Sequence, residues 1–354
     1  MKIEKSARPV SKFIGYCLLV CLFAASCKSI NLLNRQRLDD KEVNNVYLVM
    51  DNDNFISYCK YEGFDGGDGI LTPTEAAAVT EISVISSYIT SLKGIEYFTG
   101  LTHLYCPDNI QTLDVSKNTK LEHLVLGGFR TTLQTLDVSN NAELIYLDCG
   151  SSQLQILDVS KNTKLEHLDC VANPLQTLDV SSNVELTYLR CSSNQLQTLD
   201  VSNNVKLTHL DCWDNQLQTL DVSKNTKLEH LNCYGNEIQT LDVSKNTKLT
   251  CLMCSDNQLQ TLDVSNNVKL TGLYCSGNPL RILDVSNNME LTFLDCGSNQ
   301  LQTLDVSNNT ELISLYCPNN ELTEILVRVG FLNKALDCQK DEGVTLKEVN
   351  QHRQ

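Results

Sequence analysis

The sequence predicts a mostly β repeat solenoid, in which about twelve short coils stack behind a small helical cap. Leucine recurs every 21 residues from Leu144 to Leu312, and each period repeats the same order of apolar and polar positions. Aromatic residues make up only 6% of the chain, so most apolar side chains are aliphatic ones at fixed repeat positions. Because one such coil cannot bury its apolar face alone, the coils must stack and both ends need caps.

One repeat unit reads L-x-x-L-x-C-x-x-N-x-L-x-x-L-D-V-S-x-N-x-x. The alternation L-x-C is typical of a short strand, with neighbouring side chains on opposite faces. The asparagine at the ninth position favours a turn, because its side chain bonds nearby backbone groups and tolerates unusual dihedral angles. The LDVS segment predicts a second short extended segment on the opposite wall. The stacked ninth-position asparagines are expected to satisfy turn amides of neighbouring coils: Asn173, Asn194, Asn215, Asn236 and Asn257.

The chain on either side of the repeats predicts the caps. A short helix is predicted over residues 52–60, and Thr72-Pro73 begins another, with proline at a tolerated early position. A degenerate coil begins at Val79, and strand-like segments after Cys317 close the far end. The predicted organisation is a signal peptide over 1–26, a linker and N-terminal cap over 28–78, the solenoid over 79–326, and a C-terminal cap and tail over 327–354.

The charge of the chain argues against one class of partner. Lys and Arg together number 28 and Asp and Glu 43, which gives a net charge of −15 at pH 7. A chain of this sign repels phosphate backbones, so we expect no nucleic-acid partner.

The first residues predict export. A basic stretch over 1–12 precedes an apolar run over 13–25, which is typical of a secretory signal and too short for a spanning helix. The small residues before Cys27 resemble a bacterial lipobox. That resemblance implies a lipidated Cys27 that anchors the exported chain at the outer membrane or cell surface. The alternative is an ordinary cleaved signal followed by an incidental cysteine.

The first eleven positions of the unit resemble the leucine-rich repeat, L-x-x-L-x-L-x-x-N-x-L. The 21-residue period and its LDVS-N half are similar to the internalin-like repeats of bacterial surface proteins. The resemblance implies an α/β-class leucine-rich-repeat solenoid, mostly β and curved, whose strands line a concave face. It also implies a non-enzymatic recognition or adhesion module that binds an extracellular or envelope protein or a glycan through that face.

Ten cysteines occupy the sixth position of the repeat and point inward with the fourth-position leucines. They are Cys106, Cys149, Cys170, Cys191, Cys212, Cys233, Cys254, Cys275, Cys296 and Cys317. An exported chain with many cysteines suggests disulfides. However, equivalent residues on adjacent parallel strands keep their Cβ atoms about 4.8 Å apart, whereas a disulfide needs about 3.8 Å. We therefore expect buried free thiols that act as small hydrophobic side chains, with disulfides and metal or redox roles as the alternatives.

The third and fifth positions point out of the predicted strands. The third-position column holds five of the six histidines. This mixture of aromatic, acidic and histidine side chains predicts a recognition face, and a tolerant solvated sheet is the alternative. The candidate ligand-binding residues are His167, Asp169, Tyr188, Arg190, His209, Asp211, Trp213, His230, Tyr234, Tyr274 and Phe293.

Catalytic and metal sites fit this pattern poorly. The H-x-x-C spacing at His209/Cys212 and His230/Cys233 puts the two side chains on opposite faces of a strand, which excludes a Cys–His dyad of that kind. His209 and His230 on adjacent coils share a face with Asp211, and this set is an alternative metal site.

Two groups of acids raise the question of calcium. The segment FDGGDGILTPTE resembles a degenerate calcium loop, which makes Asp65, Asp68 and Glu75 candidate ligands of a weak calcium site, with a capping turn as the alternative. No other cofactor is expected. Ten aspartates also stack, and each is expected to accept a nearby backbone N–H, with a calcium-lined column as the alternative. They are Asp114, Asp137, Asp158, Asp179, Asp200, Asp221, Asp242, Asp263, Asp284 and Asp305.

The sequence leaves a second class of function open. A structural scaffold or spacer of the cell envelope would carry the same repeats without a dedicated ligand. An enzyme is not expected, because a repetitive sheet offers no pocket in which titratable groups converge.

Overall fold

The computed structural model of the chain describes residues 44–84, 88–128, 132–330 and 337–349. The predicted signal peptide and Cys27 lie outside these residues. Within them the chain forms a parallel β solenoid with little helix, which confirms the predicted leucine-rich-repeat fold class.

The helical elements lie near the N-terminal end of the described chain. They are α1 (Asp53–Tyr61), α2 (Pro73–Ala78) and single 3-10 turns at Val46–Leu48 and Ile95–Tyr97. The strands are short because each regular coil keeps only the residues around its central leucine extended. They are β1 Glu81–Ser83, β2 His103–Tyr105, β3 His123–Val125, β4 Tyr146–Asp148, β5 His167–Asp169, β6 Tyr188–Arg190, β7 His209–Asp211, β8 His230–Asn232, β9 Cys251–Met253, β10 Gly272–Tyr274, β11 Phe293–Asp295, β12 Leu304–Asp305, β13 Ser314–Tyr316, β14 Glu324–Arg328, β15 Asp337–Gln339 and β16 Thr345–Val349.

Thirteen of the described strands form one parallel sheet, in the order β1 to β11, then β13 and β15. The register aligns equivalent repeat positions: Leu210 on β7, for example, pairs with Leu231 on β8. The strands β12, β14 and β16 form a second sheet at the C-terminal end. These last strands continue the coil pattern past residue 326, and the predicted domain boundaries stay predictions.

The predicted helices of the N-terminal cap are confirmed. Thr72 Oγ1 accepts the backbone N–H of Glu75 at 3.2 Å, and Glu75 Oε2 accepts that of Thr72 at 2.9 Å, so a reciprocal cap starts α2. Phe55 on α1 is buried against Phe98, with ring centroids 6.3 Å apart. The cap therefore covers the apolar face that the first coil would otherwise expose.

The sequence predicts a second short extended segment at LDVS, and in most described coils this segment is not part of a paired strand. Among the described coils, only the one at Leu304–Asp305 forms a strand. The aspartate of each segment bonds the backbone N–H of the serine two residues later, as Asp221 Oδ1 does with Ser223 at 2.8 Å. This local bond turns the chain after the valine. Asp305 makes the same bond at the end of β12, so the bond is compatible with strand pairing.

The same local bond confirms the prediction that each stacked aspartate accepts a nearby backbone N–H. All ten of its members accept the N–H of a following serine. The bonds from Ser223 hold the pKa of Asp221 below its usual value. The Asp221 carboxylate thus stays charged at pH 7, and its hydrogen bonds are made within its own coil.

The core consists of leucine, valine and cysteine columns. The ten sixth-position cysteines are buried, and every cysteine of the described residues is unpaired, which confirms the prediction of free thiols. Burial raises the pKa of Cys191 to about 12. A thiol in this column therefore stays protonated and acts as a small hydrophobic side chain.

The ninth-position asparagines join neighbouring coils as predicted. Asn215 Nδ2 donates to the carbonyl oxygens of Cys191 and Cys212, both at 3.1 Å, and its Oδ1 accepts the N–H of Leu196 at 3.0 Å. The preceding residue, Asp214, has a φ of 55°, so the turn places a non-glycine residue in the left-handed region. The asparagine bonds hold that turn in place.

A second asparagine column lies at the nineteenth position of the repeat, and the sequence pattern did not predict its role. Its members are fully buried, and each Nδ2 donates to two carbonyl oxygens of the preceding coil. Asn267, for example, bonds the carbonyls of Val243 at 3.0 Å and Asn246 at 2.9 Å. The column comprises Asn118, Asn141, Asn162, Asn183, Asn204, Asn225, Asn246, Asn267, Asn288 and Asn309.

Replacing Asn267 by alanine should lower the free energy of unfolding by about 2–4 kcal/mol, because two buried carbonyl oxygens lose their donor. The adjacent Asn266 is exposed and lies in the same turn. Asn266→Ala should therefore change the free energy of unfolding by less than about 0.5 kcal/mol. Denaturant unfolding of both variants measures the difference, and equal losses would contradict the role of the buried column.

Candidate functional site

Each strand of the large sheet presents the residues on either side of a buried central leucine. In β7, His209 and Asp211 are half-buried, whereas Leu210 is fully buried. The third and fifth repeat positions therefore point outward, as their parity predicts. We call the surface formed by these positions on β2 to β11 and β13 the sheet face.

Seven rings at the third position form a continuous stack along the sheet face, which we call the ring ladder. Successive ring centroids are 4.1–5.9 Å apart, and successive ring planes diverge by at most 29°. Such contacts contribute about 0.5–1.5 kcal/mol per aromatic pair. The ring ladder contains His103, His123, Tyr146, His167, Tyr188, His209 and His230.

The stacking decides which atoms of the rings a partner meets. Because the ring faces pack on one another, the ladder presents ring edges, which carry the ring nitrogens and hydroxyls. Two threonines fix ring orientation: Thr102 Oγ1 lies 2.9 Å from His103 Nδ1, and Thr208 Oγ1 lies 2.9 Å from His209 Nδ1. Burial lowers the pKa of His167, so that ring is neutral at pH 7. The ladder is a row of hydrogen-bonding edges.

Beside the ring ladder, fifth-position carboxylates gather on neighbouring strands. Asp148 on β4 and Asp169 on β5 are register partners. Arg190 on β6 pairs with Asp169 through an Nη1–Oδ2 distance of 3.2 Å. Burial raises the pKa of Asp148, and the charge of Asp169 adds to this effect. One arginine thus faces two acids.

A second charged group crosses β7, β8 and β9. His230 Nε2 lies 3.3 Å from Asp211 Oδ1, a buried oxygen that has no other hydrogen-bond partner in the described chain. Hydrogen bonding raises the pKa of His230 to about 10. The larger contribution comes from Asp211 and the smaller one from the Cys251 thiol. His230 is therefore a cation at pH 7, which compensates the buried carboxylate.

The ring ladder stops at β9 and β10, where the third position holds Cys251 and Gly272. A Cβ placed on Gly272 would lie 3.2 Å from Tyr274 Cε2 and 3.8 Å from Cys251 Sγ, so the tyrosine ring leans into this gap. Tyr274 also stacks on Phe293, with ring centroids 4.6 Å apart. These two predicted residues form a separate aromatic pair beyond the gap.

Trp213 and Tyr234 lie beyond the strands, at the seventh position of adjacent coils. Their coils meet through the backbone, where the N–H of Asp214 donates to the carbonyl of Tyr234 at 2.8 Å. Tyr234 is 43% exposed and Trp213 is half-buried. The structure thus separates them from the ring ladder, with which the sequence had grouped them.

The candidate residues predicted from the sequence cover only part of the sheet face. They do not include His103, His123 and Tyr146, although all three belong to the ring ladder. Their position in the third column was the available signal. The predicted Cys–His pairs were all within one strand, so the register pairing of His230 with Cys251 on the neighbouring strand was not predicted.

The proposed calcium ligands are engaged within the cap. Asp65 Oδ2 accepts the hydroxyl of Tyr47 at 3.1 Å, and Glu75 closes the capping box with Thr72. Asp68 Oδ1 accepts the N–H of Ile70 at 2.8 Å. Over the part of the chain that the structure describes, no group of three or more such side chains is placed to hold a metal ion. Calcium binding by this loop stays a prediction.

The raised pKa of His230 predicts a pH dependence of stability. The folded state holds this proton more tightly than the unfolded state, whose value is near 6.5. The ion pair with Asp211 therefore contributes fully below pH 6.5, and its contribution is lost as the pH rises towards about 10. We expect it to reach about 1–2 kcal/mol, after allowance for solvent screening.

The measurement is the free energy of unfolding from pH 6 to 10 for the parent chain and for His230→Gln. The difference between the two should shrink across this range. His123 is the matched control, because burial lowers its pKa. Protonation of His123 therefore destabilises the folded chain below pH 6.5, which is opposite in sign to the effect of His230. A constant difference between parent and His230→Gln would show that His230 is not protonated in the folded chain.

Comparisons with known proteins agree with this geometry. The family model described as leucine-rich repeats in two copies matches residues 205–246. No curated protein matches the chain. No helix among the described residues is both long and apolar enough to span a membrane.

The solved structures that are similar to the chain include three bacterial proteins. The functional domain of InlJ from Listeria monocytogenes, which includes a cysteine ladder, is 35% identical over 75% of this chain and 68% of that one, with a TM-score of 0.59. An internalin, InlF, from the same organism is 22% identical over 86% and 98% of the two chains, with a TM-score of 0.68. A leucine-rich-repeat protein of Leptospira interrogans is 20% identical over 73% and 81%, with a TM-score of 0.54.

The likeness to InlJ, whose functional domain includes a cysteine ladder, extends over 75% of this chain and 68% of that one. The families matched are repeat proteins, and no catalytic family is among them. This chain belongs to the internalin-like leucine-rich-repeat proteins.

Proposed function

We propose that this chain is an exported recognition module that binds a protein with a basic surface through the sheet face. The observation that carries the proposal is the ring ladder, with seven half-buried rings beside an acid-rich column. The sheet beneath them is held by coil-to-coil bonds at every step. A surface that is ordered beforehand loses little conformational entropy on binding.

The orientation of the rings favours a protein over a glycan. An aromatic ring attracts the C–H groups of a sugar through its electron-rich face. In the ladder these faces are covered by neighbouring rings, as between Tyr146 and His167. The edges instead offer ring nitrogens and hydroxyls, which match the donors and acceptors of protein side chains and backbone.

The charges of the sheet face favour a basic partner. Its fifth position carries Asp148, Asp169, Asp211 and Asp295. On the described strands of this face Arg190 is the only Arg or Lys, and His230 adds a second positive charge. The whole chain carries a net charge of −15. Complementary charge steers association and raises the rate of encounter, and salt screens both effects.

The proposal includes export and attachment to a membrane. Its support is the apolar run over 13–25, followed by the small residues before Cys27, and the similarity of the chain to internalins. Lipidation of Cys27 would anchor the chain at the outer membrane or cell surface and leave the sheet face free for a partner.

Site-specific photo-crosslinking on intact cells tests the recognition surface. A photoreactive residue at position 188 of the ring ladder should give a discrete adduct, because it replaces Tyr188 on the sheet face. The matched control is position 156, where Ile156 is 77% exposed outside the sheet. The adduct should be sensitive to protease and unchanged by glycosidases.

Two further observations complete this test. The adduct at position 188 should weaken by about tenfold in Asp169→Asn/Asp211→Asn and in high salt, since both remove charge attraction. An absence of adducts at position 188, or the same adducts at position 156, would reject the sheet face and favour an envelope scaffold. A glycan adduct would reject the protein partner.

The anchor is tested by Cys27→Ser and by protease treatment of intact cells. The parent chain should sediment with membranes and lose its solenoid to the protease, because it is lipid-anchored at the surface. The variant should be recovered mainly as soluble protein. Sedimentation of the variant with membranes would contradict the lipid anchor, and protection of the parent until the outer layer is broken would contradict surface exposure.

A further inference from the structure

Cys251 differs from the other repeat cysteines in where it points. The ten sixth-position cysteines face the core and are buried. Cys251 occupies the third position of β9, on the sheet face, and is only half-buried. Among the described cysteines, only Cys338 is exposed to a similar degree, and it pairs in register with the buried Leu315. Cys251 is thus the one described thiol on the sheet face.

The neighbour of Cys251 on β8 is a cation. His230 is its register partner and interacts with the thiol. The buried Oδ1 of Asp211 lies 3.3 Å from His230 Nε2 and has no other hydrogen-bond partner in the described chain. The carboxylate therefore keeps the imidazole oriented and charged beside the sulfur.

Carboxylate, imidazole and thiol thus lie in this order across three adjacent strands. The same order of groups activates the cysteine of thiol enzymes, where a third group orients the histidine. An imidazolium beside a cysteine favours the thiolate, which is the nucleophilic form. On the far side of Cys251, Gly272 contributes no side chain, and the Tyr274 ring covers this buried glycine. The half-buried sulfur is therefore approached from the solvent side of the sheet face.

We propose that Cys251, His230 and Asp211 form a thiol–disulfide exchange site, which joins a disulfide-bearing molecule to the sheet face. The Cys251 thiolate attacks one sulfur of the incoming disulfide, and a new S–S bond forms as the old one breaks. The departing sulfur leaves with the electron pair and takes a proton from water. Cys251 is oxidised, and the incoming disulfide is the oxidant, reduced to one thiol. Asp211 acts as a positioning residue through His230.

The surroundings of the site favour this reaction over hydrolysis or metal binding. Exchange needs only an accessible thiolate, because sulfur accepts the attack without a developing oxyanion. Hydrolysis by a cysteine needs donors preorganised around an oxyanion, and the central strands here present outward side chains around a buried leucine. Within the described ranges no three ligating side chains converge on a metal position.

The experiment follows the reaction of the full folded chain with the disulfide 5,5′-dithiobis(2-nitrobenzoic acid) from pH 5 to 9. Peptide mass spectrometry assigns the rate to Cys251. In the parent chain the rate should remain high down to pH 6, because His230 stays charged there. His230→Gln should slow Cys251 at least about tenfold at pH 6 and move the rise in rate to higher pH. Asp211→Asn should give the same shift in smaller degree.

The controls separate this from a structural effect. Ile156→Gln changes an exposed residue outside the sheet face and should leave the rate and pH profile of Cys251 unchanged. Cys251→Ser should abolish the mixed disulfide formed with oxidised glutathione at this position. The other groups facing the site, His209 on β7 and Tyr274 on β10, are replaced by Gln and Phe, and neither change should reproduce the His230→Gln profile.

The outcome does not depend on every variant folding. If His230→Gln unfolds, the parent profile decides: a rate that falls about tenfold per pH unit below pH 8 describes an ordinary thiol and overturns the proposal. An unreactive Cys251, or equal rates in the parent and His230→Gln, also overturns it. Because the experiment probes the site with small disulfides, its result does not depend on whether the chain binds the proposed protein partner.

Discussion

The structure depends on one constraint, which is that the buried backbone groups of each coil find their partners in the next coil. A buried carbonyl or N–H without a partner costs about as much as a lost hydrogen bond. Here the strands supply one set of bonds, and two asparagine columns supply the rest, as Asn215 and Asn267 illustrate. No coil is complete alone, so the stability of each coil depends on the coils stacked against it.

In-register stacking also determines the chemistry of the surface. Each side chain lies about 4.8 Å from its equivalent in the next coil. Rings at such positions stack, as in the ring ladder, while carboxylates would repel. The aspartates of the LDVS segments avoid this cost with their own serine N–H groups, as in the bond from Ser223 to Asp221. Asp169 instead pairs with Arg190 on the next strand, and Asp211 with His230.

Departures from the column pattern carry the most specific chemistry. A cysteine at the sixth position is buried, and Cys191 accordingly has its pKa raised by burial to about 12. Cys251 is an additional cysteine, at the third position of the coil whose sixth position holds the buried Cys254, and its register partner is His230. Gly272 then leaves its flank without a side chain. A cysteine at the third position of the repeat is thus a candidate reactive thiol, whereas a cysteine at the sixth position is an inert core thiol.

The sequence by itself determined the coil, the direction of each side chain and the neighbours of each position, because a constant period aligns equivalent residues in parallel strands. It therefore predicted the buried cysteines, the outward columns and the ninth-position asparagine bonds. The tertiary structure alone decided the diagonal pairing of Asp211 with His230, the ring orientations and the buried role of Asn267. These depend on side-chain torsion angles and on turn geometry within each coil, which spacing along the chain does not specify.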